Sequence, residues 1–280
     1  MSIELPEAQI LTKQMNKELQ GKQVKTWQMK NYQRLQKVGF INKDLSSFNH
    51  LNEGKINAVV SRGNVIQVKL DNSMNLILSP EYGGKILYHK ESTMAPEKFH
   101  LKIDFTDNSS LTVTLMGMGV IQALKDEELS QSYVYRRDFS HTVSTTDNQE
   151  FTYEHFSKDL NNKNINIKTV LVGKDAVIVG LSNSAFQDIL CRAGVHPKRK
   201  ASDLSENEKR RLFDAIKRVI QLRIDSGGKP QFNDLYGKQG SYNPAMGPSM
   251  KDKACTVCGA QTEKLSLGGG QVYFCPNCQH

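Results

Sequence analysis

Near its C-terminus the chain reads Cys255-Thr-Val-Cys258 and Cys275-Pro-Asn-Cys278, two CxxC pairs that enclose sixteen residues. This spacing is typical of a structural Zn²⁺ site with four thiolate ligands. The segments Glu263–Leu267 and Gln271–Phe274, with Gly268-Gly269-Gly270 as the turn between them, are predicted to form the hairpin that brings the two pairs together. Because cysteine fills all four ligand positions, no position is left for a substrate water, and the predicted zinc stabilises the fold.

The residues upstream of this module predict a helical region. Asn183, together with Ser182, favours the N-cap of one helix, and Gly194 ends that helix. Ser205-x-x-Glu208 is a capping box that opens a long amphipathic helix, which is predicted to end at Gly227-Gly228. From residue 232 to 253 the chain is rich in Gly, Pro, Asn and Tyr, so we expect an extended loop there.

The N-terminal half predicts one helix followed by β-strands. Pro6 favours the first turn of the helix, an apolar stripe runs from Ala8 to Leu19, and Gly21 ends it. Short strands at the spacing seen here are typical of an antiparallel sandwich or barrel. The candidate strands are Ile56–Val60, Val65–Leu70, Asn75–Leu78, Leu101–Phe105 and Leu111–Leu115.

These patterns predict an α+β protein with several parts. We place an antiparallel β-sandwich domain at residues 1–140 and a helical domain at 151–245, and the zinc finger occupies 246–280. Residues 130–149 are polar and hold no apolar period, so we predict a linker at 141–150 between the first two domains.

The charge and the termini restrict the class of protein further. The chain has 280 residues, with 37 Lys and Arg against 29 Asp and Glu, and a formal net charge of +8. A basic soluble protein is often attracted to polyanions, of which nucleic acid is the commonest. The sequence contains no apolar run of about 18 residues and begins without a secretory signal, so we expect a cytoplasmic protein that does not enter membranes.

Three separated motifs resemble the Fpg/Nei family of DNA glycosylases (formamidopyrimidine-DNA glycosylase and endonuclease VIII). In chain order they are Glu4-Leu5-Pro6-Glu7, then Gly180-Leu-Ser-Asn183 with Ala193-Gly194-Val195-His196-Pro197, then Tyr273-Phe274-Cys275-Pro276-Asn277-Cys278-Gln279. The resemblance covers most of the chain. It implies an N-terminal antiparallel β-sandwich with flanking helices, and a C-terminal helix–two-turn–helix domain with a zinc-ribbon finger.

The same resemblance implies a partner and the residues that bind it. The partner is double-stranded DNA with a damaged base or an abasic site, bound by a monomer that is associated with the nucleoid. The residues implied to contact DNA are Asn183, Lys168, Arg62 and Met118, the last as an apolar plug, although a core methionine is an equal alternative.

The implied catalytic residues differ from the family pattern. In the family, the amine of an N-terminal proline attacks the sugar and forms a Schiff base, with help from an acid and a lysine. Here Ile3 stands at the proline position, so the free amine after removal of Met1 belongs to Ser2. Asn64 stands at the lysine position and Gly270 at that of an arginine in the finger. We therefore predict a divergent subfamily, with candidate catalytic residues Ser2, Glu4 and Glu7.

Three functions remain as hypotheses. The first is a DNA glycosylase/AP lyase of base excision repair that uses the N-terminal amine as nucleophile and Glu4 as acid and base. The second is a homologue that binds lesions or abasic sites without turnover. The third is a zinc-ribbon protein that binds RNA or serves in assembly.

Overall fold

The computed structural model describes residues 3–81, 83–91, 94–139, 151–161, 164–172 and 176–280. The chain divides into two compact units, of which the first comprises Met1–His141 and Ile224–Tyr242 and the second Thr142–Arg223 and Asn243–His280. The segment Ile224–Tyr242, which the sequence analysis grouped with the helical domain, thus packs with the first unit. The predicted linker 141–150 lies outside the described residues, and the predicted domain boundaries stay a prediction.

Helix α1 (Leu5–Leu19) forms where the sequence predicts it. Its apolar stripe from Ala8 to Leu19 is fully buried, and Pro6 lies in the first turn, where no backbone N–H is needed. Next to Met15 of this stripe, the Asn16 amide donates to the carbonyl of Val59 at 2.6 Å and accepts from the Val59 N–H at 2.8 Å. This pair of bonds joins α1 to the backbone of strand β2 (Ile56–Arg62).

Two four-stranded antiparallel sheets form most of the remaining regular structure of the first unit. Their strand orders are β1-β6-β7-β5 and β2-β3-β4-β8, which confirms the predicted antiparallel β architecture. Apolar side chains from both sheets and from α1 make one core. The strands are β1 (Val24–Met29), β2 (Ile56–Arg62), β3 (Val65–Leu70), β4 (Met74–Pro80), β5 (Lys85–His89), β6 (Leu101–Phe105), β7 (Ser110–Thr114) and β8 (Gly119–Lys125).

In the described part of the first unit, sequence patterns did not predict three of these strands or two short helices, α2 (Gln33–Lys37) and α3 (Tyr133–Phe139). In β1, an edge strand, only Val24 is buried, so the apolar alternation that identifies a strand is absent. Strands β5 and β8 were also missed. Helix α3 (Tyr133–Phe139) lies within the stretch described as polar and without apolar period. Its buried Val134 belongs to a small cluster with Val65 and Ile77, against which Tyr135 and Phe139 also pack, so apolar contacts hold this helix against β3 and β4.

The second unit is helical and carries a C-terminal hairpin. Ser182 is the N-cap of α6, with its hydroxyl accepting from the Ser184 N–H at 3.3 Å, so Asn183 is the first helical residue and not the cap. The predicted capping box of α7 is present, since Ser205 and Glu208 bond each other's N–H groups. The elements are α2 (Gln33–Lys37, in the first unit), α4 (Tyr153–Asn161), α5 (Ile167–Val172), α6 (Asn183–Ala193), α7 (Glu206–Asp225), β9 (Glu263–Leu267) and β10 (Gly270–Phe274).

Short 3₁₀ helices complete the described structure, at Leu45–Leu51, Asp126–Gln131, Ala201–Asp203 and Pro248–Met250. In the described ranges, no helix has both the length and the apolar character needed to cross a membrane.

The segment that follows α7 folds back tightly on itself. The Tyr242 N–H donates to the carbonyl of Gly228 at 3.0 Å, and the Ser241 N–H donates to that of Ser226 at 2.9 Å. A Cβ at Gly240 would lie only 2.1 Å from the Gly228 oxygen. The stretches of this loop around Gly228 and Gly240 can therefore approach each other only because position 240 has no side chain.

We expect Gly240→Ala to destabilise the protein by about 1–3 kcal/mol, because the loop must open to admit a methyl group. The matched control is Gly247→Ala. Gly247 has an extended φ of 163°, and its Cβ would have 3.9 Å to its nearest neighbour, so that variant should change stability by no more than roughly 0.5 kcal/mol. Urea denaturation measures both, and equal stabilities would contradict the close approach.

Candidate functional site

The four cysteines of the two CxxC pairs converge in the second unit. The ligand sulfurs of Cys255, Cys258, Cys275 and Cys278 all lie within 4.8 Å of one another. The Sγ atoms of Cys258 and Cys275 are 3.4 Å apart, and those of Cys255 and Cys278 are 3.9 Å apart. A tetrahedron with Zn–S bonds of about 2.3 Å has edges of roughly 3.8 Å. The four thiols therefore have the chemistry and the spacing that a tetrahedral metal requires.

Hydrogen bonds of one side chain, that of Gln279, connect the second CxxC pair to the helical part of this unit. The Gln279 carboxamide accepts from the Cys275 N–H at 2.9 Å and donates to the Val195 carbonyl, also at 2.9 Å. Val195 directly follows Gly194, the left-handed residue that ends α6. One buried glutamine therefore connects a ligand-bearing turn to the end of α6.

The fifth cysteine is not part of the tetrad. Cys191 lies in α6 and packs, partly buried, against the cluster that contains Cys255 and Cys275. Burial raises the pKa of the Cys191 thiol to about 11, so it is a protonated packing residue at neutral pH.

Three positions that the resemblance connects with DNA meet at the finger hairpin. The Asn183 amide donates to the carbonyl of Gln271 at 2.7 Å, and the Lys168 ammonium donates to that of Leu267. A Cβ at Gly270 would lie 3.4 Å from the Asn183 Nδ2 atom and 3.6 Å from the Lys168 Nζ atom. The lysine thus lies where a side chain at position 270 would begin. Burial lowers the pKa of Lys168.

The two predicted acids of α1 lie together at its N-terminus. Glu4 and Glu7 are both fully buried, and the Glu4 N–H donates to the Glu7 carboxylate at 3.1 Å. Lys229 joins them: its ammonium lies 3.0 Å from the Glu4 carboxylate, and its backbone N–H donates to Glu7 at 3.2 Å. Lys229 is itself buried, so the predicted acid Glu4 has a buried cation as its partner. Ile3 is also buried, and Ser2 lies outside the described residues.

The turn between β2 and β3 holds the predicted Arg62 and Asn64. Arg62 is the last residue of β2 and pairs with Val65 across the turn. The Asn64 Oδ1 accepts from the Arg137 guanidinium at 2.6 Å, and the Asn64 N–H donates to Asp138 at 3.2 Å. Asn64 is therefore tied to a charged pair on α3.

Met118 lies in the loop between β7 and β8 and is 52% exposed, close to Met116, which is 57% exposed. The alternative of a core methionine is therefore wrong, and the exposed position agrees with an apolar plug.

Tyr236, in the segment that follows α7, is half-exposed and donates its hydroxyl to Glu18 of α1 at 2.7 Å. That bond and the negative charge of Glu18 add to a burial effect that raises the pKa of Tyr236 to about 12.

Sequence reasoning missed Lys229, Arg137 and Asp138. Lys229 follows Gly227-Gly228 and reads as the start of a loop, and it reaches Glu4 across 225 residues. Arg137 and Asp138 are neighbours in a short helix that has little apolar pattern. Their partners became visible only in three dimensions, since no local pattern in the sequence relates them.

Comparisons with known proteins agree with this architecture. Two protein-family models match, the formamidopyrimidine-DNA glycosylase N-terminal domain over residues 3–115 and the formamidopyrimidine-DNA glycosylase H2TH domain over residues 144–232. The formamidopyrimidine-DNA glycosylase of Wolbachia sp. subsp. Brugia malayi is 26% identical over 99% of both chains. That of Streptococcus mutans is 27% identical over 78% of this chain and 79% of its own.

Solved structures have the same fold. A complex between the Lactococcus lactis Fpg and an abasic site containing DNA superposes with a TM-score of 0.84, at 20% identity over 99% of both chains. MutM in complex with carbocyclic 8-oxo-G containing DNA gives 0.81 at 21% identity, again over 99% of both chains. The domains, their order and the fold define a protein built like a DNA glycosylase. The chain belongs to the Fpg/Nei family.

The Glu4–Lys229 pair predicts a large effect of a single substitution. We expect Lys229→Met to destabilise the protein by about 3–5 kcal/mol, because it leaves a buried carboxylate without its cation. Adding Glu4→Gln to that variant should recover part of the loss. Urea denaturation at neutral pH measures each variant.

The control is Lys102→Met, which breaks an ion pair with Asp104 whose side chains are each 22% exposed, and which should cost no more than about 1 kcal/mol. A loss for Lys229→Met no larger than that of the control would show that the buried pair does not hold α1.

Proposed function

We propose that this protein binds double-stranded DNA containing a damaged base or an abasic site, and acts there as a DNA glycosylase/AP lyase with an atypical nucleophile. The observation that carries the proposal is the buried pair of acids at the N-terminus of α1 in a protein of this family, where Glu4 follows Ser2 by two residues in the sequence. An acid at this place can serve an N-terminal amine as proton donor and acceptor.

Features of both units support DNA binding. Asn183 and Lys168 lie beside the finger hairpin, and Met118 is an exposed apolar side chain. Enzymes that act on a base take it out of the stack, and an apolar side chain that fills the gap favours that state. The relatives in the solved complexes hold DNA with an abasic site or an 8-oxo-G analogue, and this ligand class suits the net charge of +8.

The proposed nucleophile is the amine of Ser2, freed by removal of Met1. An α-amine with a pKa near 8 is neutral in roughly a tenth of molecules at pH 7, which is enough for Schiff-base chemistry. Its lone pair forms a bond to the sugar C1′ carbon while the bond from C1′ to the base breaks, and the base leaves with that electron pair and takes up a proton from water. Glu4 then moves the proton from the amine to the ring oxygen as the ring opens to the iminium.

We further propose that the four cysteines hold Zn²⁺ as a structural ion. Four thiolates leave no ligand position for a substrate, and the metal therefore stabilises the finger. The 26 residues from Cys255 to the C-terminus offer too small a core to fold without such a constraint. The predicted cytoplasmic, nucleoid-associated location and the monomeric state stay predictions.

One zinc ion per chain should be found by native mass spectrometry. Cys275→Ser should lose it and lower the melting temperature of the second unit by roughly 10 °C, because binding energy of a structural metal is folding energy. Cys191→Ser, the control, removes a cysteine packed against the same cluster and should keep the zinc. Zinc retained by the Cys275 variant would contradict the tetrad as the metal site.

A second candidate function is lesion binding without turnover. The observation that favours it is Asn64, an amide that holds Arg137 at the position where the resemblance implies a catalytic lysine. An amide cannot donate or accept a proton in the way an amine can. No observation favours the RNA-binding alternative over DNA binding, since models of both formamidopyrimidine-DNA glycosylase domains match this chain.

Borohydride trapping on an abasic-site duplex separates the two candidates. If the amine of Ser2 is the nucleophile, reduction of its iminium gives a covalent adduct that peptide mass spectrometry places at residue 2. Glu4→Gln should reduce the trapping rate by about 10²-fold, which is typical for loss of a positioned acid–base group. Intact mass shows first that Met1 is removed.

The control is the same chain with an uncleaved N-terminal extension, which blocks the amine and should bind the duplex without being trapped. Tight, salt-sensitive binding of the native chain with no adduct would support the second candidate. Equal, weak binding of abasic and undamaged duplexes at low salt would contradict both.

A further inference from the structure

The β2–β3 turn and helix α3 of the first unit build a small cluster of donors. The turn consists of Gly63 and Asn64, between the paired Arg62 and Val65. Gly63 has a φ of +57°, a conformation that suits glycine at the first position of a two-residue hairpin turn. Arg137 and Asp138 of α3 meet this turn, with 2.6 Å from the Arg137 Nη2 atom to the Asn64 Oδ1 atom.

A buried carboxylate fixes this guanidinium. Asp138 is 0% exposed, whereas the Arg137 side chain is 27% exposed. Asp138 accepts from the Arg137 Nη2 atom at 3.0 Å, from its Nε atom, and from the Asn64 N–H at 3.2 Å. Although burial opposes it, the hydrogen bond and the charge of Asp138 raise the pKa of Arg137. The cation is therefore permanent, and its Nε and Nη2 atoms are bonded to Asp138 and Asn64.

The hydrogen bonds leave two donors unused. Arginine has no acceptor, so the Asn64 amide must turn its oxygen toward Arg137 and its Nδ2 atom away. Within the described part of the chain, neither the Asn64 Nδ2 atom nor the Arg137 Nη1 atom has a hydrogen-bond partner. Two adjacent N–H donors, one of them cationic and rigidly held, match the oxygens of a phosphate.

We propose that Arg137 and Asn64 form a binding site for one phosphodiester group of the DNA backbone. The inference deepens the proposed function and rests on its DNA-binding part. It gives Arg137 the role of a phosphate-binding residue, and Asn64 the role of a second donor oriented by that arginine. Arg62, the residue before the turn, adds a positive charge, while Glu81 acts on Arg137 with a negative one.

The test uses a variant that does not change the net charge. Arg137→Gln alone leaves Asp138 buried without its cation, so Arg137→Gln is combined with Asp138→Asn. We expect this double variant to bind a duplex containing a tetrahydrofuran abasic analogue about tenfold more weakly at low salt, because one charge-assisted contact is lost. The slope of log K against log salt, measured between about 50 and 200 mM, should decrease by about one.

Arg136→Gln is the matched control. Arg136 is the exposed neighbour on the same helix, and its loss lowers the net charge by one. If the site is specific, Arg136→Gln weakens binding less than the net-neutral double variant does. If it weakens binding as much, or if the double variant binds like the wild type with an unchanged melting temperature, the proposal is overturned.

A third variant does not depend on the buried pair. Glu81→Gln removes the negative charge that acts on Arg137, and it should strengthen binding by about two- to fivefold; unchanged or weaker binding contradicts the site.

The design also separates this inference from the proposed function. A phosphate contact does not read the base, so the double variant should weaken binding to abasic and undamaged duplexes by the same factor. If the wild-type protein binds the abasic and the undamaged duplex equally, lesion recognition is refuted. The loss of affinity measured for the double variant still shows in that case whether Arg137 binds a phosphate.

Discussion

The arrangement of the first unit depends on an ion pair between its two chain segments, the N-terminal one and the one that follows α7. Lys229 pairs with Glu4 at 3.0 Å across 225 residues, and both side chains are buried. Neither charge would be tolerated there alone, because the desolvation of an isolated ion is costly. The segment after α7 must therefore return to the N-terminus of α1, and it is also held there by Gln14, which bonds Asp234 and Leu235. The position of the candidate acid is thus set by the last third of the chain.

Local patterns predicted much of the fold. The bounds of β3, β6 and β9 agree with their predicted ranges, because each strand has apolar residues in continuous or alternating order between turn residues. Helix α3 could not be predicted in that way. It depends on Val134, Tyr135 and Phe139, which pack on a cluster from β3, β4 and β8, and on Asp138, a buried carboxylate that accepts from Arg137 and Asn64.

In the candidate site, too, local sequence features were predictable and contacts between distant residues were not. The cysteine tetrad was predictable because ligand spacing is a local feature of the sequence, and the sulfurs do converge. The resemblance selected Asn183 and Lys168, but it gave no sign that both bond the backbone of the finger hairpin. Lys229 and Arg137 had no local signal, since their partners Glu4 and Asn64 are 225 and 73 residues away.

Two of the three substitutions relative to the family pattern, those at Asn64 and Gly270, have a common physical consequence. Where the resemblance implies a lysine, Asn64 carries no charge, yet the Arg137 guanidinium lies 2.6 Å from it. Where the resemblance implies a finger arginine, Gly270 has no side chain, yet the Lys168 ammonium would lie 3.6 Å from its Cβ. In both places a cation is present but comes from a neighbouring helix. A phosphate responds to the position of a charge and of its donors, whichever residue carries them. The absence of the family lysine and finger arginine therefore does not by itself argue against binding of a DNA backbone. Proton transfer at position 64 is different, because Arg137 cannot replace a lysine there: a guanidinium does not give up its proton near neutral pH.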